Sequence, residues 1–178
     1  SVTGVDGRHR EESVLPVMGI ACSTGKTCVK ECIYLLLMLS RNVTRSPRSY
    51  NSQVGVPLSV WLLDERSRIG VFEAGISQPG EMQALRAIIQ PTIGVMTNIG
   101  PALQENFATM EEKCHEKLCL FQYAEVVVCC ADDPLTTECL ARAGYKAQVL
   151  AWSEMDPKRP LFIPSIEKLE TSTRISYI

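Results

Sequence analysis

The stretch VLPVMGIACSTGKTCVKE, residues 14–31, decides how the rest of the chain is read. It opens on an aliphatic run with the character of a buried strand and turns at Cys22–Gly25. It then places apolar residues at 29, 32, 33, 36 and 37, the spacing of one helix face. Between strand and helix stands Gly25-Lys26-Thr27. In a phosphate loop the N–H groups of a tight turn and of a helix start cradle an anion. The lysine there reaches the β- and γ-phosphates and the threonine hydroxyl ligates Mg2+. The standard spacing wants a glycine five positions before Gly25, where this chain has Ile20; Gly19 comes one step too early. On these residues alone two readings stay open: a nucleotide site of altered spacing, or a Gly-Lys-Thr that happens to follow a strand.

Working outward, strand and helix alternate. NVTRS (42–46) reads as a short strand and PRSYNSQ (47–53) as a polar connection. VGVPLSVWLLDE (54–65) reads as a helix that tolerates Pro57 only in its first turn. RIGVFEAG (68–75), TIGVMTNIG (92–100), EVVVCCA (125–131) and AQVLAW (147–152) read as strands. The helices GEMQALRAIIQ (80–90), TMEEKCHEKLCLFQY (109–123) and LTTECLARAG (135–144) lie between them. Residues 160–178, ending in TRISYI, suggest further strands. This rhythm implies an α/β fold, a mainly parallel sheet with helices on both faces and a small β extension at the C-terminal end; if the Gly25-Lys26-Thr27 loop binds phosphate, the fold would be P-loop NTPase-like. Ligands of such sheets bind beyond the carboxyl ends of strands, which selects the loops at 21–27, 73–80 and 97–107.

The bulk numbers exclude several classes. With 178 residues and 46% hydrophobic content the chain fits one globular domain. A net charge of −2 gives no electrostatic case for nucleic acid or an anionic membrane. The longest apolar run, IYLLLML at 33–39, is far short of the ~20 residues of a membrane span. Residues 1–13 are polar and charged, unlike a signal peptide. The eight cysteines form no CxxC pair and fall mostly in apolar segments, so they read as small buried hydrophobes of a reduced cytosol. His9 and His115 are the only histidines, His115 reading as a surface residue, so a His-rich metal site is excluded.

Three strand-end or helical groups carry possible chemistry. Glu73 ends a buried strand, where a carboxylate can hold magnesium or simply face solvent. Asn98 can orient a ligand or serve as a turn residue. Lys113 and Lys117, at i and i+4 of one helix, read by themselves as a solvated face.

Taken together, PVMGIACSTGKTCVKE, RSYNSQVGVPLSVW, GVFEAGISQPGEMQAL and PTIGVMTNIGPALQENF followed by a lysine-bearing helix resemble the central ATP-binding domain of the Mur ligases. The motifs are most similar to the branch that adds D-alanyl-D-alanine to UDP-N-acetylmuramoyl-tripeptide, in the form fused to an alanine racemase. The family's own loop is shorter than the standard one, which accounts for the spacing. The resemblance implies an ATP- and Mg2+-dependent, cytoplasmic amide-bond synthesis of cell-wall precursors through an acyl phosphate. It implies that Ser23, Thr24, Gly25, Lys26, Thr27 and Asn98 bind nucleotide and that Asn51 and Ser52 face the substrate. Thr27 and Glu73 would hold magnesium. Lys117 would match the lysine that is carbamylated in the family and ligates a second magnesium, with Lys26 and Lys117 the catalytic pair. Residues 1–13 would be a linker from a preceding domain and 14–178 a central domain cut at its C-terminal side. The UDP-sugar and amine substrates would then need flanking domains, and the 178 residues alone would not ligate. Two positions depart from the pattern: Cys22 stands for a glycine, and Leu103 for a histidine that helps bind the second magnesium. These departures favour the alternative of a degenerate nucleotide-binding fragment without activity. A folylpolyglutamate synthase relative is disfavoured by RSYNSQVGVPLS and ISQPGEM.

Overall fold

The computed structural model describes residues 15–102 and 104–178. Residues 1–14, including the segment read as a linker, and Leu103 lie outside the described residues. The strands are β1 (Val17–Ala21), β2 (Val43–Arg45), β3 (Ile69–Glu73), β4 (Ile93–Met96), β5 (Val126–Cys130), β6 (Gln148–Ser153), β7 (Leu161–Phe162), β8 (Ser165–Lys168) and β9 (Thr173–Ser176). The helices are α1 (Lys26–Leu37), α2 (Gly55–Val60), α3 (Glu81–Ile89), α4 (Met110–Leu118) and α5 (Pro134–Ala143). Among the described residues β1–β7 form one sheet in the order β2-β3-β1-β4-β5-β6-β7, every pairing parallel. A separate antiparallel hairpin, β8–β9, is the small C-terminal β extension.

Strand order fixes where the helices go. The crossover from β1 to β2 runs toward one edge, whereas those leaving β2, β3, β4 and β5 run toward the other. Right-handed crossovers therefore put α1 on one face and α2–α5 on the opposite face, where α2 packs on α3 and α4 on α5. The connections diverge between β1 and β4, so the crevice expected at a switch point opens at the carboxyl ends of these two strands.

Local chemistry explains the element ends. All five residues of β3 are buried, as befits a central strand covered on both faces. Thr109 caps α4 by accepting from Glu112 N at 3.0 Å, and Glu112 Oε2 accepts from Ala108 N at 2.7 Å. Asp133 caps α5 just ahead of Pro134, and Gly144 ends it at φ 63. Pro57 sits in the first turn of α2 as required. Among the described residues no helix is long and apolar enough to cross a membrane.

Four expectations need correction. The packed face of α1 is not 29, 32, 33, 36 and 37: Cys32 and Leu36 are exposed, and the one fully buried side chain of the helix is Lys30. Cysteine burial is mixed. Cys22, Cys114, Cys129 and Cys139 are buried, but Cys28 and Cys32 are exposed, because they lie on the outer side of α1; all eight are free thiols. Lys113 is not solvated, since the loop after β4 folds over it. His115 is half-buried.

Candidate nucleotide-binding site

The loop between β1 and α1 is stitched to the end of β4. Ser23 N donates to Asn98 O at 3.0 Å, Gly100 N donates to Ser23 Oγ at 2.9 Å, and Ser23 Oγ bonds Gly100 O at 3.2 Å. Asn98 grips Thr24 from both sides of its amide: Oδ1 accepts from Thr24 N and Nδ2 donates to Thr24 O, both at 3.2 Å. Asn98, weighed as a mere turn residue, is thus the clasp of the loop. Gly25 enters the helix at φ 86, the left-handed region a side chain resists, with no atom within 4 Å of where a Cβ would stand. The open space beside Gly25 is room for a ligand against the start of α1.

The substitution at 22 proves benign in backbone terms. Among the described residues only Arg48 and Gln90 are non-glycines with positive φ, so Cys22 carries no left-handed strain. Its side chain is buried and the thiol donates to Thr24 O at 2.9 Å, closing the loop from inside.

Lysines converge on the loop's underside. Lys26 Nζ and Lys117 Nζ both donate to Cys22 O, at 3.0 and 3.1 Å. Burial pushes the Lys117 amine down from 10.5 to about 8, and the Lys26 and Lys113 charges push the same way. Lys113 Nζ is tied to the carbonyls of Gly100 and Ala102. Burial lowers its pKa too, against the pull of Glu105.

On the other side of the loop stands a carboxylate. Glu73, fully buried at the end of β3, accepts from Thr27 Oγ1 at 3.0 Å through Oε2 and 3.2 Å through Oε1. Asn51 Nδ2 lies 3.5 Å from Oε2, and Ser49 Oγ lies 3.1 Å from Thr27 Oγ1. Gly75 admits Asn51 because a Cβ there would stand 2.9 Å from its Oδ1. Ser52 instead starts α2, its Oγ accepting from Gly55 N at 3.2 Å. Its hydroxyl proton stays free to donate, and Ser52 is exposed. Leu103 lies outside the described residues.

Sequence reasoning missed Lys30. This fully buried ammonium donates to Ser46 O at 2.8 Å, to Arg48 O and to Glu73 Oε1 at 3.3 Å. Its signal was present only as its place three residues after Thr27 on the same helix face, where a lysine ordinarily reads as solvent-facing.

Do these residues fit a magnesium-bound nucleotide? The donors at the crevice are hard oxygens, a carboxylate and a hydroxyl, which suit Mg2+. Among the described residues no cluster of three or more His, Cys, Asp or Glu can hold a metal by itself. A cation here must complete its shell with phosphate and water, as Mg2+ commonly does. Thr97 Oγ1, at the end of β4, is buried without a hydrogen-bond partner, an orphan of the sort a ligand satisfies. The set fits.

A parallel sheet of order 2-3-1-4-5, a glycine-lysine-threonine loop at the switch point and a facing carboxylate define a P-loop-type nucleotide-binding domain. Residues 20–177 match the Mur ligase middle domain, and the chain belongs to that family. Over 122 residues, 67% of the chain, it is 30% identical to the UDP-N-acetylmuramoyl-tripeptide–D-alanyl-D-alanine ligase of Bacillus subtilis, of which it covers 27%. The MurF structure of Acinetobacter baumannii superposes with a TM-score of 0.89 at 23% identity, over 99% of this chain and 39% of that one. The MurF ligase of Thermotoga maritima in complex with ADP gives 0.86 at 26% identity, over 99% and 41%. The chain thus spans about a quarter of the length of the curated relative.

Proposed function

We propose that this chain is the ATP-binding catalytic domain of a cytoplasmic ligase that joins D-alanyl-D-alanine to UDP-N-acetylmuramoyl-tripeptide. The observation that carries the reading is the convergence of Lys26, Thr27 and Glu73 at the β1–β4 switch point, within a Mur ligase middle domain. The N–H groups around Gly25 cradle the phosphates. Lys26 turns from Cys22 O to the phosphate oxygens and offsets charge on the transferring phosphoryl. Thr27 and Glu73 would hold Mg2+, which neutralises phosphate charge when bound. The tripeptide carboxylate attacks the γ-phosphorus and ADP departs. The amine of D-alanyl-D-alanine then attacks the acyl carbon, phosphate leaves and one proton is released. Asn98 keeps the loop in register, and Asn51, beside Glu73, would face the substrate.

Lys117 fits the carbamylated role. A buried amine with its pKa lowered from 10.5 to about 8 has a larger free-base fraction near neutral pH than an ordinary lysine, and attack of that free base on CO2 would form an N–C bond, open one C=O π bond and release one proton. The carbamate so formed would offer carboxylate-like oxygens to a second Mg2+.

The test is calorimetric titration of Mg·ATP into the purified chain, with Lys26→Ala as control. Binding that disappears in the variant supports the reading; heats identical in both refute it. The 178 residues alone are expected not to ligate. Phosphate release that required both substrates would overturn that expectation.

A further inference from the structure

Lys30 lies one turn beyond Lys26 on α1 and has no exposed surface. It therefore cannot reach a nucleotide arriving from solvent. An ammonium carries three N–H donors, and every one of them has oxygen within reach: Ser46 O, Arg48 O, Glu73 Oε1, and Glu31 Oε1 at 3.1 Å. These oxygens come from α1, from the connection between β2 and α2, and from the end of β3. Arg48 is one of the two non-glycine residues with positive φ among the described residues, at 48°. A residue held in that sparsely populated region is over-determined by its surroundings, and here its carbonyl accepts from Lys30.

Glu73 is equally enclosed. A buried carboxylate needs both charge and hydrogen-bond partners. Thr27 and Asn51 offer only neutral dipoles, so Lys30 is the opposite charge in contact with it. The two carboxylate oxygens are unequal. Lys30 holds Oε1, while Oε2 makes the shorter bond to Thr27 and has Asn51 beside it. The same ammonium anchors Ser46, whose Oγ in turn accepts from Glu73 N at 3.3 Å.

From this we infer that Lys30 is a positioning residue for the magnesium-binding carboxylate: it fixes Oε1 of Glu73, presents Oε2 toward Thr27, and locks the 46–51 connection to the same frame. The inference rests on the nucleotide reading above and deepens it. Lys30 touches neither nucleotide nor substrate; it acts through Glu73. Partners that orient a ligating carboxylate typically change metal affinity about 10–100-fold when removed.

The experiment measures ADP binding by calorimetry, in Mg2+ and in EDTA, for the wild-type chain, Lys30→Met and Lys30→Arg. Amide exchange of the ligand-free proteins is followed in parallel. Lys30→Met is expected to lose about 10–100-fold of the Mg2+-dependent gain in affinity while its affinity in EDTA moves by less than about threefold. Lys30→Arg should recover part of the gain, since it keeps the charge. In Lys30→Met the amides of Tyr50 and Gly75, which bond within and onto the 46–51 connection, should exchange at least about tenfold faster, with those of β5 unchanged. If Lys30→Met does not fold, Lys30→Gln carries the same comparison. A Mg2+ gain surviving in the variant, or equal losses with and without Mg2+, overturns the role of Lys30. A wild-type chain that binds ADP with no Mg2+ effect, or does not bind it, instead overturns the reading of Glu73 and the site, and this inference with it. Unchanged exchange at Tyr50 and Gly75 overturns the locking of the connection.

Discussion

Lys117→Met should make the protein more stable while disabling the proposed chemistry. Lys117 is 3% exposed, and its amine titrates at about 8 against an ordinary 10.5. At roughly 1.36 kcal/mol per pH unit, that gap is a folding penalty of about 3 kcal/mol on the charged form. Below pH 8 both folded and unfolded chains hold the proton, and the penalty is felt in full. Between pH 8 and 10.5 the folded chain has released it and the unfolded chain has not, so stability climbs as pH rises. Methionine removes the charge with little change in shape. It also forfeits the bond to Cys22 O, worth about 1 kcal/mol, although Lys26 still donates to that oxygen. The expected net gain is about 2 kcal/mol at pH 7, shrinking toward zero or reversing by pH 10. Urea unfolding of both proteins in CO2-free buffer from pH 6.5 to 9.5 measures it. A variant less stable than wild type at pH 7, or one that keeps the wild-type rise in stability above pH 8, would refute the argument.

Gly25→Ala meets no neighbour, so its cost is the left-handed φ alone, about 1–2 kcal/mol by chemical denaturation; a loss above about 4 kcal/mol would mean a clash the geometry does not contain. Asn98→Ala removes the clasp on Thr24 and should weaken Mg·ATP binding about tenfold or more by calorimetry, each lost bond being worth about 0.5–1.5 kcal/mol. Unchanged affinity would show that the loop holds its shape without it. With a thiol reagent, Cys28 and Cys32 should label first, and Cys22, Cys114, Cys129 and Cys139 only on unfolding. Rapid labelling of Cys22 in the folded chain, read by peptide mass mapping, would contradict its place inside the loop.

Much of the architecture could be read directly from the order of apolar runs, because a parallel sheet buries whole strands and each crossover must supply a helix. RIGVFEAG and EVVVCCA became β3 and β5 for that reason. The face of α1 could not be read that way. Its aliphatic periodicity pointed to 29, 32, 33, 36 and 37, but the position that faces the interior is set by Glu73 and by the 46–48 carbonyls, 16 to 43 residues further along the chain. Lys30 and Lys113 look like any helical lysine until the loops that cover them are in place. The loop residues were legible because Gly25-Lys26-Thr27 is a local motif, while the part played by Asn98 needed the pairing of β1 with β4.

Cys22 O takes two ammonium groups at once, so one backbone oxygen of the loop docks a cation from α1 and another from α4. Any anion that enters must outbid that oxygen, exchanging bonds the chain already has. An isolated small anion that draws away only Lys26 surrenders one satisfied contact for another and leaves Lys117 where it was. A chain of phosphates recovers more, because it reaches the Lys26 ammonium, the N–H groups at the start of α1 and the Thr27 hydroxyl in a single approach. The tethering of Lys26 and Lys117 to one loop carbonyl would thus favour ligands with several phosphates over a single small anion through competition alone.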